Sequence, residues 1–311
     1  MKRICAMILA AAMVLGGTAL FTACGEQEKN ITVVVREQGS GTREAFDKVV
    51  TDGSHFLEEK DADGKTVYNT TSEAIQQTKT GTVLSMVASD ENAIGYISLG
   101  SVDSTVNVVA VEGVTPSEAA VLDGSYKIQR PFVVMTNSEV TLTALTADFM
   151  SYLKSGEAEA HVEEAGCIFL TDPAMRANEG KPGIEVESYE KQAALPAGDK
   201  IVIRGSTSME KFINAAAKGY ADLYGANAED IFDIQLEGSS VGRKAAEEDT
   251  TGNVIGLSSA SVDEEGIESF NVCLDAVAVI VNKNNTTVND LTLAELYDIF
   301  SGKIKKFSEI K

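Results

Sequence analysis

Val33-Val34-Val35-Arg36-Glu37-Gln38-Gly39-Ser40-Gly41-Thr42-Arg43-Glu44-Ala45-Phe46 reads as a strand, a turn and a helix. Ile31 to Val35 is a β-branched run of the kind that forms a buried strand. Gly39 and Gly41 let the backbone turn sharply and leave its N–H groups bare. Phe46, Val49 and Val50 then recur at helical spacing. Ser40 or Thr42 suits the N-cap. A helix start carries unpaired N–H groups and a partial positive charge, so it can hold an oxyanion. Arg36 falls at the strand end and Arg43 in the first helical turn. A cation in that turn opposes the helix dipole, which points to a compensating anion. An ordinary strand–helix turn with two surface arginines fits the same residues.

Two further stretches share this grammar. Ile201-Val202-Ile203-Arg204 leads into Gly205-Ser206-Thr207-Ser208-Met209 and a helix with Phe212, Ile213, Ala216 and Tyr220 on one face. Ile234-Gln235-Leu236-Glu237 leads into Gly238-Ser239-Ser240-Val241-Gly242 and the helix-forming run Arg243 to Glu248. Each serine alone is adequately explained as an N-cap. Three Gly-Ser helix starts in one chain can together surround a tetrahedral oxyanion.

At these residues the sequence resembles the phosphate-binding protein family of the high-affinity phosphate ABC transporter. Arg36 to Arg43, Gly205-Ser206-Thr207-Ser208 and Gly238-Ser239-Ser240 carry the resemblance. Weaker matches are Ala93 to Gly100, Arg130-Pro131-Phe132, Leu274 to Asn282, and the tail from Leu291 through Ile299-Phe300-Ser301-Gly302-Lys303-Ile304. The resemblance implies an α/β, two-lobed, type II periplasmic-binding-protein-like fold with the ligand between the lobes. It implies inorganic phosphate as ligand, a membrane permease and its ATPase as partners, and neither cofactor nor metal. Carried over residue by residue, it assigns phosphate contacts to Arg36, Ser40, Gly41, Thr42, Thr207, Ser208, Ser239 and Ser259, with Arg43 and Ser240 as additions. Ser258-Ser259, after Gly256-Leu257, matches a fourth contact loop, where the family often carries an acidic residue or a serine. The arginine that often follows is Ala260 here.

The family-like segments stand in an unusual order. Ile201 onward resembles the family's beginning, Leu170 its end, and Lys303 to Ile310 its midpoint. The order is that of a circular permutation, which chains tolerate where the original ends are exposed and close. Residues 31–128 plus 275–311 are then expected to form one split lobe, and 129–274 the other. Thr171 to Lys200, with three prolines and no apolar period, reads as a long linker joining the old ends. A truncated tandem of two binding units has the same segment order, and the sequence does not choose between them.

Residues 1–23 read as a signal peptide, with Lys2 and Arg3 before an apolar run. Phe21-Thr22-Ala23-Cys24 resembles a lipobox, so Cys24 is the expected lipidated residue and residues 24–30 a tether. The chain is then placed extracytoplasmically, anchored to the cell membrane; an ordinary signal peptide with an incidental cysteine is the alternative. The formal net charge is −21, or −23 without Lys2 and Arg3. Such acidity argues against nucleic-acid binding. It does not exclude an anion site, since surface charge is screened over about 8–10 Å. Cys167 and Cys273 remain, as a disulfide or as two buried thiols. His55 to Thr66 reads as a surface loop, and its Asp61-Ala62-Asp63-Gly64 lacks the rest of a calcium loop. Ser72 to Val87, with an interruption at Gly81, and Leu142 to Ala165 read as helices.

Two rival functions fit parts of the chain. Gly238-Ser239-Ser240-Val241-Gly242 has the Gly-x-Ser-x-Gly form of a nucleophile elbow. Its base would have to be His55 or His161, and both precede Ser240, the reverse of the elbow's usual order. The chain is therefore read as a non-enzyme. A sensing or adhesive surface lipoprotein that keeps the fold without transport is the other alternative.

Overall fold

The computed structural model describes residues 28–178 and 183–311. The expected signal segment and Cys24 lie outside the described residues. In chain order the strands are β1 (Thr32–Arg36), β2 (Glu58–Lys60), β3 (Thr66–Tyr68), β4 (Ile75–Gln77), β5 (Ala93–Ser98), β6 (Val106–Val111) and β7 (Gln129–Asn137). There follow β8 (Ile168–Phe169), β9 (Ile201–Gly205), β10 (Phe232–Leu236), β11 (Val254–Ser258), β12 (Ile267–Asn282) and β13 (Asp290–Leu291). All but β2 and β3 join one sheet whose main path runs β10-β9-β11-β7-β12-β5-β1-β4.

The two largest of the four apolar clusters among the described residues flank this path. One gathers Phe132, Phe149, Ile203, Phe212, Tyr220, Leu257 and Cys273. The other gathers Val33, Phe46, Tyr96, Ile128, Ala276, Leu296 and Phe300. The long strands β7 and β12 bridge them. Along β12 the boundary falls between Cys273 and Ala276; along the chain entering β7 it falls between Ile128 and Phe132. The sixteen residues of β12 pair with β7 and β8 on one side of that point and with β5 and β6 beyond it. A strand buried over nearly its whole length needs the unbroken apolar run Ala276 to Val281. The two lobes are thus an α/β pair joined by two antiparallel strands.

The first and last described segments meet on the second lobe. Ile31 N–H donates to the Lys305 carbonyl at 2.7 Å, and Glu28 accepts from Ser308 N–H at 3.0 Å. Phe300 packs against the stacked Phe46–Tyr96 pair, so the tail closes the core that the first strand opens.

Several sequence expectations are corrected. His55 to Thr66 lies at the surface as expected but is not a loop throughout: β2 and β3 form a hairpin whose turn is closed by Asp61, which accepts from Lys65 N–H at 2.8 Å. Ser72 to Val87 is not one helix. Ile75–Gln77 is an edge strand on β1, and the helix begins only at Thr80. The run 142–165 breaks at Ser155-Gly156 into helices Ala144–Lys154 and Glu159–Glu164, because Ser155 turns its hydroxyl onto the Tyr152 carbonyl. Its inner residues Leu145, Phe149, Leu153 and Val162 are all buried, as their spacing predicts. The linker, described except for residues 179–182, is strapped to the first lobe rather than free. Tyr189 Oη donates to Asp148 at 2.8 Å, and Asn178 Nδ2 donates to the Val262 carbonyl at 2.6 Å. Gly156 N–H donates to the Glu187 carbonyl, and Glu187 N–H to the Lys154 carbonyl. Cys167 and Cys273 are buried free thiols.

Candidate functional site

Parallel pairing brings the helix starts together. β9 pairs in parallel with both β10 and β11, with Gly205 level with Leu236 and Leu257. The residues after those three strands, Ser206 to Ser208, Gly238-Ser239 and Ser259, therefore emerge at one edge. In the other lobe β4 runs parallel to β1, with Gln77 level with Arg36. The turns after them deliver Ser40 to Thr42 and Thr80 to one place. Ligands of open α/β sheets bind outside such carboxyl ends.

The two edges face and touch each other. Thr42 Oγ1 lies 3.0 Å from Ser208 Oγ, and Thr80 Oγ1 lies 3.1 Å from Thr207 Oγ1 and 3.3 Å from Ser208 Oγ. Gly41 N–H donates to Ser239 Oγ at 3.3 Å, and Ser240 N–H donates to the Gly39 carbonyl at 3.2 Å. Ser206 Oγ donates to Ser259 Oγ at 2.8 Å, and Ser259 N–H donates to Ser239 Oγ at 3.0 Å. Arg243 and Glu44 form an ion pair between the lobes at 3.3 Å. A Cβ on Gly41 would stand 2.5 Å from the Ser259 carbonyl carbon, so only glycine allows this approach.

Arg36 closes the cluster from the strand side. It is 2 % exposed, and its Nη1 donates to Thr80 Oγ1 at 3.2 Å. Its Nε and Nη2 each donate to Glu37 at 2.8 Å, and Nη2 also donates to the Thr78 carbonyl at 3.4 Å. Of the residues the sequence points to, the structure brings together Arg36, Gly41, Thr42, Thr207, Ser208, Ser239 and Ser259. Ser40 sits beside them as the N-cap of helix Gly41–Asp47. Ser240 is exposed; its hydroxyl faces Gly39.

Arg43 is a correction. Its guanidinium turns into its own lobe, donating to Asp47 at 2.9 Å, to the Arg36 carbonyl at 3.0 Å and to Thr70 at 3.4 Å. Asp47, not a bound anion, balances the cation in the first turn. Two members of the cluster are not among the contacts expected from the sequence. Ser206 lies inside a motif that carries the resemblance, between two glycine- and hydroxyl-bearing neighbours. Thr80 has a signal in Thr78-Lys79-Thr80-Gly81-Thr82, a polar Gly-containing run ahead of an apolar helix face, like the other starts.

Behind the cluster lies a buried ion pair on the joining strands. Arg130 and Asp275 are register partners on β7 and β12. Nη2 meets Oδ2 at 2.8 Å and Nε meets it at 3.1 Å. Ser98 donates to the other Asp275 oxygen at 2.8 Å, and Arg130 Nη1 reaches the Ser259 carbonyl at 3.5 Å. Burial pushes the Asp275 carboxyl above its ordinary value, with Arg130 and Ser98 pulling the other way. Neither histidine is placed to serve Ser240. His161 Nε2 is 2.7 Å from Tyr152 Oη in the first lobe, and His55 pairs with Glu59 in the hairpin. Among the described residues no His, Cys, Asp and Glu group is arranged to hold a metal ion.

A guanidinium, clustered hydroxyls and helix-start amides from both lobes make a donor-rich cage for a small oxyanion. The sequence matches the PBP superfamily domain over residues 21–157 and 190–309. It is 35 % identical over 316 residues to phosphate-binding protein PstS 2 of Streptococcus pneumoniae serotype 4 (strain TIGR4), covering 98 % of each chain. The chain belongs to the PstS phosphate-binding protein family. A second PstS family member, phosphate-binding protein PstS of Bacillus subtilis (strain 168), matches over 150 residues at 30 % identity, covering 48 % of this chain and 44 % of that one. The crystal structure of the phosphate-binding protein of a phosphate ABC transporter from S. pneumoniae TIGR4 superposes with a TM-score of 0.63 at 34 % identity. That superposition covers 91 % of this chain and 100 % of the other. The two-lobed type II fold expected from the sequence is therefore the PstS fold.

Proposed function

We propose that this chain binds inorganic phosphate between its lobes and delivers it to an ABC permease outside the cytoplasm. The observation that carries this is the convergence of Arg36, Thr42, Thr80, Ser206, Thr207, Ser208, Ser239 and Ser259 from two facing lobes onto one small, hydroxyl-rich centre. A tetrahedral ion with four acceptor oxygens satisfies such donors better than water does, because the donors are already held in place. In this reading Arg36 supplies the charge contact. Ser40, Gly41 and Thr42 bind from one lobe; Thr207, Ser208, Ser239 and Ser259 bind from the other. Thr80 and Ser206 join them, and Ser240 lies at the rim. The names of the pneumococcal and Bacillus relatives support the ligand. The phosphate ABC transporter to which the superposed pneumococcal protein belongs supports the role.

The same reading makes the chain a carrier without turnover, which the names of its relatives as phosphate-binding proteins support. Cys24 is the proposed lipid anchor, and no helix of the described residues is long and apolar enough to cross a membrane. The segment order is read as a circular permutation, with lobes 31–128 plus 275–311 and 129–274. The adjoining of Ile31 and Lys305 supports it.

The test is a phosphate titration by calorimetry on wild type and Arg36→Ala. Hydrogen bonds to a charged group contribute about 1.5–3 kcal/mol each, so the variant is expected to lose well over tenfold in affinity. Saturable phosphate binding that survives in Arg36→Ala with less than about a tenfold loss, about 1.4 kcal/mol, removes Arg36 from the site. Wild type that binds no phosphate removes the reading itself.

A further inference from the structure

The first described residues are pinned to the tail of the chain. Glu28 accepts from Ser308 N–H at 3.0 Å, and Ile31 N–H donates to the Lys305 carbonyl at 2.7 Å. Only four residue steps separate Cys24 from Glu28. Fully extended, they span at most about 14 Å. A folded chain of this length has a radius of gyration of about 19 Å. A lipid on Cys24 therefore cannot reach a membrane from the far side of the protein. The face that carries Glu28, Lys305 and Ser308 has to turn toward it.

That face is basic in an acidic protein. Residues 303–311 carry Lys303, Lys305, Lys306 and Lys311 against Glu309 alone, and Lys29 follows Glu28, in a chain of net charge −21. Lys29, Lys303, Lys305 and Lys311 are exposed, and Lys306 is half-buried. Both glutamates are turned onto the backbone: Glu309 accepts from Lys305 N–H at 2.8 Å and Lys306 N–H at 3.2 Å, and Glu28 from Ser308. Other carboxylates approach from neighbouring elements. Asp52 and Asp298 each lie 3.1 Å from Lys303, Glu73 lies 3.8 Å from Lys305, and Asp90 feels the charge of Lys29. Lys303 is thereby committed to the fold. Lys29, Lys305, Lys306 and Lys311 form the accessible basic set.

We propose that this face is a membrane-seating surface: Lys29, Lys305, Lys306 and Lys311 rest on the anionic phospholipid headgroups around the chain's own anchor. The inference rests on the reading of Cys24 as lipidated. Lysines clustered beside a membrane anchor are drawn to anionic headgroups within a Debye length of the surface. The acyl chains supply the hold; the lysines choose which face lies down. The orientation has a consequence for the ligand centre. β1 starts at Thr32, beside the Ile31–Lys305 contact, and ends at Arg36 in the hydroxyl cluster. That length of strand is about 13 Å. Seated on its tail, the protein holds the ligand centre off the lipid and toward the medium, and keeps its acidic surface away from the anionic headgroups. Delivery to a permease in the same membrane then requires the second lobe to lift from its seat while the acyl chains keep hold.

The experiment is lysine footprinting of the lipidated full chain on two kinds of vesicle, pure phosphatidylcholine and an equal mixture of phosphatidylcholine and phosphatidylglycerol. A water-soluble acylating reagent is applied briefly, and mass spectrometry reads the modification rate of each lysine. Lys29, Lys305, Lys306 and Lys311 are expected to react at least about threefold more slowly on the anionic vesicles, as amines held against a charged surface do. High salt is expected to erase the difference. Lys218 and Lys244, on first-lobe helices Glu210–Leu223 and Ser239–Glu247, are expected to react equally on both. The double variant Lys306→Gln, Lys311→Gln is expected to lose most of the protection at Lys29 and Lys305 and to bind phosphate as wild type does. Tail lysines that react equally on both vesicles overturn the inference. So does protection at Lys218 and Lys244 as strong as at the tail, and so does a double variant that keeps full protection. Wild type recovered apart from both kinds of vesicle removes the lipid-anchor reading and this inference together. Wild type held by both, with no difference at the tail, removes this inference alone.

Discussion

Arg130 and Asp275 face each other across the two long strands shared by both lobes, at the point where one apolar core stops and the other begins. The pair holds four structures at once: β7, β12, Ser98 at the end of a second-lobe strand, and the carbonyl of Ser259 in the first-lobe contact loop. A buried pair contributes little net stability, but breaking it leaves a charge stranded. Asp275→Asn is therefore expected to lower unfolding free energy by about 3–5 kcal/mol. The double variant Arg130→Met, Asp275→Leu is expected to recover most of that loss. Urea unfolding of wild type, the single variant and the double variant measures both. A single variant within about 1 kcal/mol of wild type, far below the cost of a stranded charge, would show that the pair is not the buried junction described.

Asp47 gives a pH dependence of definite sign. Burial lifts its carboxyl to about 6, against the pull of Arg43, and its Oδ1 has no hydrogen-bond partner among the described residues. An unfolded aspartate titrates near about 3.9. A folded value above the unfolded one means that the native state holds the proton more tightly between roughly pH 4 and 6. The stabilisation is complete below about pH 4 and is lost as pH rises through about 6, to a total of at most about 3 kcal/mol. Asp47→Asn keeps the neutral shape at every pH. The stability of wild type relative to Asp47→Asn is thus expected to fall by about 1–3 kcal/mol from about pH 4 to pH 7. A difference that stays flat across this range sinks the assignment.

The main contact loops are legible because their chemistry is local. A β-branched strand, a Gly-Ser turn and an apolar helix face announce Arg36 to Thr42, Gly205 to Ser208 and Gly238-Ser239 residue by residue. Thr80 is hidden because the strand before it, Ile75–Gln77, has one apolar residue in three and exists only by pairing with β1, a contact no local pattern encodes. The strap after Thr171 has no period because side-chain anchors hold it, Tyr189 on Asp148 and Asn178 on Val262, rather than a ladder. Arg43 is ambiguous in sequence for a different reason. A cation in a first helical turn calls for an anion, and both a ligand and Asp47, one helical turn away, answer that call. The helix geometry chooses Asp47. The grip of Glu37 on Arg36 is a rotamer choice between adjacent residues, which sequence does not specify.

The lipid anchor is tested separately, since Cys24 lies outside the described residues. Two acyl chains, at about 0.8 kcal/mol per buried CH₂, hold a protein stably at a membrane. Wild type is expected in the membrane fraction, and Cys24→Ala in the soluble extracytoplasmic fraction with its phosphate affinity intact. Equal retention of both proteins in the membrane fraction refutes the anchor.

Selectivity between phosphate and sulfate turns on Ser259. Its hydroxyl is buried and bonded to other hydroxyls, Ser206 at 2.8 Å and Ser239 at 3.2 Å. Hydroxyls both donate and accept, so this loop tolerates a protonated and an unprotonated oxyanion alike. Rejection of sulfate needs an acceptor that sulfate cannot satisfy. The two nearby carboxylates are both engaged, Asp275 with Arg130 behind the site and Glu37 with Arg36 in it. Wild type is therefore expected to bind phosphate with weak discrimination, sulfate competing within about two orders of magnitude, about 2.8 kcal/mol. Ser259→Asp places a fixed acceptor beside the ligand and is expected to raise the phosphate-to-sulfate preference at least tenfold, about 1.4 kcal/mol. The close approach of Gly41 to Ser259 limits the room for a larger side chain, so the ratio of the two affinities, and not the absolute phosphate affinity, is the readout. A competition titration near neutral pH decides the matter. Wild type that ignores a large sulfate excess, together with a Ser259→Asp variant of unchanged ratio, would remove Ser259 from the control of selectivity.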